Sequence, residues 1–419
     1  MEGYHKSVTM NRNNFLKLAS IGLITMGDRN FLTSQKVVYP AKTINFANNH
    51  NYVKVAQTIY GKDITIDDCD GVVYVKEGDD YYFNQSTTID IKDFGAIGDG
   101  SKDDTAAILM AFESCIKNKK TLYVSRPVKC YLCLKNIVIT DQIYVYGDGF
   151  ENAGFNFINS DGFIIKEGVK NVFFERFSIN CSVRYKDKRN DFTGIHIMGS
   201  SGQRPYTHTY RDLFIDGFCT AIKLNWLWDS LFDNLKILFG KVGFEILGTS
   251  VNNNICNASV MVEGEGSKGI FFSDRNNPTE GWRISNILVF GAEMAVHSFY
   301  TSNVYLTTPI LDFCTKYGIM LESGRGPSTN WQIIGGYIAM SGNAISGISL
   351  NNEVDNKQLR GCKISNVDIL VYPGSTAESG VSLNGKYDIR NKIKDNSFTD
   401  FKNDVIFKNN KKSENVIEF

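Results

Sequence analysis

The acids, arginines and tryptophans of two segments offer the clearest chemistry in this chain. One segment holds Asp274, Arg275, Glu280, Trp282 and Arg283, and the other holds Glu322, Arg325 and Trp331. Cleavage of a glycosidic bond needs two carboxylates about 5–5.5 Å apart for retention, or about 6.5–9.5 Å apart for inversion. Indoles stack on sugar faces, and guanidinium groups pair in fork geometry with sugar carboxylates. An acidic-sugar cleft requires this set. Each acid taken alone reads more readily as a solvated loop charge than as a catalytic group. Glu245 and His297 are further candidates, and a histidine there is also readable as a surface or subunit contact. Asp312 follows an apolar Pro-Ile-Leu run, where a buried carboxylate with a raised pKa would serve as a general acid. Asp229, Asp233, Trp226 and Trp228 read as an acid pair with aromatic neighbours or as packing. β-Elimination from a uronic acid is the other chemistry. It needs a base and a neutralising cation, and Arg184, Arg189, Arg204, Arg275 and Arg325 supply the cations.

These residues need a scaffold, and the chain repeats. The tetrad "Gly or Ala, apolar, any, apolar" begins at Gly162, Gly194, Ala221, Gly243, Gly269, Ala295, Gly318, Gly347 and Gly380, at intervals of 22 to 33 residues. Short strands follow Asn171, Asn234, Asn286 and Asn366, with Asn257, Asn303, Asn330 and Asn396 in similar places and Asp212 standing in once. Two strands per repeat, a small corner residue and a recurring Asn read as a β-solenoid. The second and fourth tetrad residues then point inward and the third outward. The outward column is Ile164, His196, Lys223, Glu245, Phe271, His297, Met320, Ser349 and Ser382. The corner residue is expected to let the backbone bend, and stacked Asn side chains to satisfy amides at a buried corner. The connections vary in length, longest at 175–193, 199–211, 273–285, 322–330 and 351–364, which marks one face as functional.

Composition agrees. With 28 Phe, 20 Tyr and only 7 Pro in 419 residues, strands are favoured over helices. A net charge of zero removes the basic field that nucleic acid would require. The nine cysteines are odd in number and scattered, and Cys130-x-x-Cys133 lacks the second pair of a zinc set, so reduced thiols are expected. Nothing calls for a cofactor or a metal, and no run is long enough to span a membrane. Residues 1–30 read as an arm. Within it MNRNNFLKLASIGLITMG reads as a weak export signal or a short anchoring helix. Residues 31–88 read as a small β-rich attachment module, 89–398 as the solenoid and 399–419 as a tail.

At IDIKDFGAIGDGSKDDTAAI, residues 89–108, a strand and Gly-rich turn lead to a helix, with Asp103 and Asp104 where an N-cap belongs. This segment resembles the opening motif of pectate-lyase-like proteins, among them bacteriophage tailspikes and polysaccharide depolymerases. KLNWLWDSLFDNLKI (223–237), PTEGWRISNILVFG (278–291) and WQIIGGYIAMSG (331–342) are similar to tailspike rungs. The resemblance implies an all-β fold, a single-stranded right-handed parallel β-helix with an N-terminal capping helix. It implies a homotrimer on a virion tail, joined to tail or baseplate proteins through its N-terminus and gripping a bacterial surface polysaccharide. A secreted bacterial enzyme is the alternative setting, and a non-catalytic adhesin the alternative activity. The G-x-D-D and G-H-G elements of polygalacturonases are absent from the rungs, so the resemblance hands over no catalytic residue. Glycoside hydrolysis by Glu280, Glu322, Asp274, Asp312 and Glu245 is the first expectation. Arg275, Trp282, Arg283, His297, Arg325 and Trp331 are expected to bind substrate. Phe271, Met320 and Phe299 are unusually apolar for outward positions and would serve trimer contacts.

Overall fold

The tetrad pattern builds a parallel β-solenoid of about 11 turns. The structure, a computed structural model, describes residues 44–45 and 51–418, except 189, 353–358, 386–389 and 409–414. The arm at 1–30, with its signal-or-anchor reading, and Arg189 lie outside the described residues. Among the described residues, three long parallel sheets run the length of the molecule. The first has eleven strands from Tyr131–Cys133 to Ser397–Thr399, and the second eleven from Ile137–Ile139 to Asn403–Lys408. The third has thirteen from Thr88–Asp90 to Val416–Glu418. A short fourth sheet, Thr279–Glu280, Thr301–Ser302, Ser328–Thr329 and Leu359–Arg360, lies between the second and third. Pairing thus continues past residue 398.

The tetrads form the second sheet. Its register runs Lys223–Glu245–Phe271–His297–Met320–Ser349–Ser382, one residue per coil. Their neighbours Ile222, Leu224, Phe244, Ile246, Ile270 and Phe272 are buried in one continuous core. The corner glycines have a different cause from the expected bend. A Cβ on Gly243 would stand 2.5 Å from the carbonyl oxygen of Gly269, and one on Gly269 2.6 Å from that of Ala295. Close approach of the next coil, rather than a left-handed backbone, excludes larger side chains there.

The recurring Asn residues occupy two corners, not one. Asn171, Asn252, Asn303 and Asn330 precede third-sheet strands, whereas Asn234, Asn257, Asn286 and Asn366 follow them. All have φ between 51° and 57°. Asn tolerates this left-handed conformation better than other residues with a Cβ. Their side chains do bond between coils, Asn330 to Asn303 at 3.1 Å and Asn257 to Asp233 at 2.9 Å, but these ladders are exposed. Backbone conformation, more than buried amides, selects the residue.

At the N-terminal end, the antiparallel strands Asn51–Val55, Asp80–Asn84 and Tyr74–Glu77 pack beside the helix Thr105–Lys117. Tyr60 donates to the Lys117 carbonyl at 2.8 Å, and Lys120 to the carbonyls of Asn84 and Ser86 at 2.9 and 2.7 Å. Ile108, Ala111, Phe112 and Cys115 of the helix join the solenoid core. The two aspartates divide their roles. Asp103 accepts from the Thr105 amide at 3.0 Å, while buried Asp104 turns back to accept from Ile97 and Gly98. All nine cysteines are free thiols, and burial holds Cys133 well above its ordinary pKa. Among the described residues, no helix is long and apolar enough to cross a membrane, and no cluster of metal-binding side chains occurs.

His208 is fully enclosed, with its ring nitrogens at 3.2 Å from the Tyr210 hydroxyl and 3.0 Å from the Val169 carbonyl. Burial pushes its pKa from 6.5 to about 4. Below pH 6.5 the unfolded chain takes up a proton that the folded chain refuses. The His208 contribution to stability should therefore fall as pH drops from 6.5 to 4, by on the order of 3 kcal/mol, and level off below. Denaturant titrations should show this component shrink in His208→Asn; an unchanged slope would contradict it.

Candidate functional site

Residues of three successive coils meet on the outer face of the second sheet. Strand Lys268–Phe272 leads into the loop 273–278, and strand Tyr317–Glu322 into the loop 323–327. Between them the strand Met294–Phe299 passes through Tyr300 alone, at φ 43°, into the fourth sheet. The two longer loops close across this short turn. The Arg325 amide donates to the Arg275 carbonyl at 2.6 Å. Gly324 lies against that same carbonyl and Gly326 against the Tyr300 ring, so neither position has room for a Cβ.

Inside the notch, His297 Nε2 lies 2.7 Å from Glu322 Oε2. Arg275 lies 3.7 Å from the same oxygen, with its guanidinium carbon 3.7 Å from the Phe299 ring centroid. His297 stacks on Phe271 at 5.1 Å and meets Phe299 edge-on at 4.5 Å. His297 and Glu322 are 7 % and 6 % exposed, whereas the Arg275 side chain is 42 % exposed and carries the site's charge to the surface. Burial lowers the His297 pKa, opposed by Glu322, so the imidazole is neutral at pH 7. With the ring proton on Nε2, His297 donates to Glu322 and Nδ1 is left as the basic nitrogen. Nδ1 is enclosed and has no hydrogen-bond partner among the described residues. Lys268 lies 4.4 Å above Phe271, and burial together with Lys241 lowers its pKa. Sequence reasoning misses Lys268, although it immediately precedes the corner residue Gly269.

The remaining candidates are dispersed. Asp274 sits in the adjoining loop, but its oxygens accept from the amides of Gly248, Asn276 and Asn277 and from the Asn277 side chain at 2.8–3.0 Å. These bonds lower its pKa against the effect of burial, and they fix the loop. Glu245 pairs with Lys223 at 3.1 Å, two coils before His297 in the column. Glu280 is exposed on the fourth sheet, and Arg283 is exposed on the third, beside Tyr305. Arg325 contributes its backbone to loop closure. Asp312 lies on the first sheet and is partly exposed, not buried as expected. Asp233 holds Arg211 and Asn257, and Asp229 is a left-handed corner residue. Arg204 lies over Trp228 and Trp226 at 4.4 and 5.7 Å, and Arg184 pairs with Asp216 at 3.0 Å.

Trp282 and Trp331 require a correction. The expectation that they stack on sugar fails, because both are 0 % exposed. Each meets Phe272 edge-on, at 5.4 and 5.9 Å, and their indole N–H groups reach the Ser250 carbonyl and the Thr301 hydroxyl. Each lies at an inward position directly after a left-handed residue, Gly281 or Asn330. Phe299 also departs from its outward reading, being 7 % exposed beneath Arg275.

No protein-family model matches the sequence, and no curated protein matches it. Solved structures do match in fold. The DFA-IIIase of Arthrobacter chlorophenolicus A6 superposes with a TM-score of 0.58 at 13 % identity, over 77 % of this chain and 87 % of that one. The surface protein and adhesin PfbA of Streptococcus pneumoniae gives 0.57 at 14 % identity, over 79 % and 99 %. Tailspike protein 2 of Escherichia coli O157:H7 bacteriophage CAB120 gives 0.56 at 13 % identity, over 92 % of this chain and 54 % of that one. What they share is the solenoid. Phage tailspikes are thus among the structural neighbours of this chain, alongside an enzyme and an adhesin.

Because the tryptophans are core residues, Trp282→Ala and Trp331→Ala should each lower unfolding free energy by about 3–5 kcal/mol. Denaturant titration checks this, and unchanged stability would return the indoles to the surface.

Proposed function

We propose that this chain grips an acidic bacterial surface polysaccharide on its second sheet and cleaves it there, as a phage tailspike depolymerase. Arg275 is the observation that supports this most. Its guanidinium is flattened on Phe299 and steadied by Glu322 while much of the side chain faces solvent. A pre-oriented, exposed guanidinium suits the carboxylate of a uronic acid. A homotrimer attached to the tail through its N-terminal residues belongs to the same proposal, and a secreted bacterial enzyme is its alternative setting.

Hydrolysis would need a second carboxylate working with Glu322, and Asp274 has its oxygens engaged by N–H donors. The notch suits β-elimination better. Arg275 would neutralise the uronate, and His297 Nδ1 would take the proton alpha to the carboxylate. The glycosidic C–O bond then breaks, and the leaving oxygen is protonated from solvent. Glu322 fixes the tautomer that makes Nδ1 basic. Nδ1 is enclosed in the unliganded chain, so the side chains around it must part when glycan binds. This enclosure favours the second reading, an adhesin that holds the glycan without cleaving it.

Incubation with a panel of capsular, O-antigen and exopolysaccharides separates the readings. New reducing ends accompanied by the ultraviolet absorbance of an unsaturated uronate are expected. Glu322→Gln should slow turnover by about 10²–10⁴-fold with binding retained. Arg275→Ala should weaken binding by roughly tenfold or more. Binding without product would establish the adhesin, and wild-type turnover in both Glu322→Gln and His297→Asn would remove this site.

A further inference from the structure

Among the described residues the first sheet carries two bulges of the same kind, and cations of the chain cover the ring of only one of them. In strand Lys236–Gly240 the register against its neighbour shifts between Ile237 and Gly240, and Phe239 swings out at φ 55°. In strand Ile310–Cys314 it shifts between Leu311 and Cys314, and Phe313 swings out at φ 54°. An aromatic residue in the left-handed region is strained, and a bulge that holds one re-aims its ring.

The first ring is covered by cations. Lys186 lies 4.6 Å and Arg184 5.6 Å from the Phe239 centroid, and Arg184 also pairs with Asp216 on the adjoining strand at 3.0 Å. Ring and carboxylate together hold one guanidinium. At the second bulge the carboxylate is Asp312, the residue just before the ring. Its Oδ1 accepts from the Phe313 amide at 2.9 Å and from the Tyr372 hydroxyl at 2.7 Å. Phe313 is 40 % exposed and lies 5.1 Å from Phe290 and 4.6 Å from Tyr372. Among the described residues no cation lies over these rings.

From this internal comparison we infer that Asp312, Phe313 and Tyr372 form a second subsite, on the first sheet, for the protonated amino group of an amino sugar. Aromatic rings beside a carboxylate attract ammonium groups. The surroundings suit a sugar rather than a peptide. Two residues earlier on the same strands as Phe290 and Asp312, Leu288 and Ile310 line a separate depression edged by Ser259, Asn286 and Thr308, which offers apolar surface for a sugar's C–H face and hydroxyl and amide groups for its oxygens. The subsite is separate from the Arg275 notch and does not depend on it.

Equilibrium binding of a glucosamine oligosaccharide, and of its N-acetylated counterpart of the same length, tests the inference on the full chain. At least a roughly tenfold preference for the free amine is expected. It should disappear in Asp312→Asn and persist in Arg275→Ala, which separates this subsite from the notch. If Asp312→Asn lowers the melting temperature, Phe313→Ala, which removes an exposed ring of the subsite, serves as the second variant and should reduce the preference. No preference, or a preference that survives both first-sheet variants, would overturn the subsite. A lysine peptide of equal charge binding as tightly as the glucosamine oligosaccharide would overturn its assignment to a sugar.

Discussion

The second-sheet corner of each tetrad holds only Gly or Ala, because the backbones of successive coils approach closely there. Gly243 and Gly269 sit where a Cβ would collide with the next coil's carbonyl. Holding that corner tight keeps the coils in register, and the register sorts every side chain. Inward residues become a continuous core of low polarity, and outward residues become columns one coil apart. An Arg, a His and a Glu from separate repeats can then share one site without long-range design. The cost is borne at the other two corners, where left-handed residues recur coil after coil and Asn or Gly is selected for them.

Function grows from departures from this regularity. Where adjoining coils carry unequal connections, as at Tyr300 between loops 273–278 and 323–327, side chains of three coils are brought together. Where a strand bulges, as at Phe239 and Phe313, a ring leaves the core. Within the three-coil site two forces oppose each other at His297. Burial favours the neutral ring, Glu322 favours the charged one, and burial prevails. The result is a neutral imidazole beside a permanent cation, the arrangement on which the proposal of an acidic sugar rests. The aromatic contacts of Phe271 and Phe299 keep both groups in place.

Much of this was legible in the sequence because a β-strand's period is two. The outward column from Lys223 to Ser382 was readable from the tetrads alone, and the structure pairs it residue for residue. The coming together of the loops after Gly269 and Gly318 was readable from their equal offset from the corner. What was not legible concerns residues near corners, where the period breaks. Trp282 and Trp331 fall just past left-handed corners, and a strand pattern does not fix their direction. Two corners looked like one because each selects Asn for the same backbone reason. Asp274 looked catalytic because sequence does not reveal which loop amides a carboxylate will accept. Asp312 faces outward by simple alternation with buried Leu311, and the bulge at Phe313 that follows it leaves no mark in composition or spacing.

The most direct test of the central claim is a crystal structure of the chain soaked with a uronic-acid oligosaccharide. Sugar lying across the second sheet, with its carboxylate against Arg275 and a ring carbon beside His297, is the predicted result. Sugar bound on another sheet, or none at Arg275 when solution binding is saturated, would contradict it.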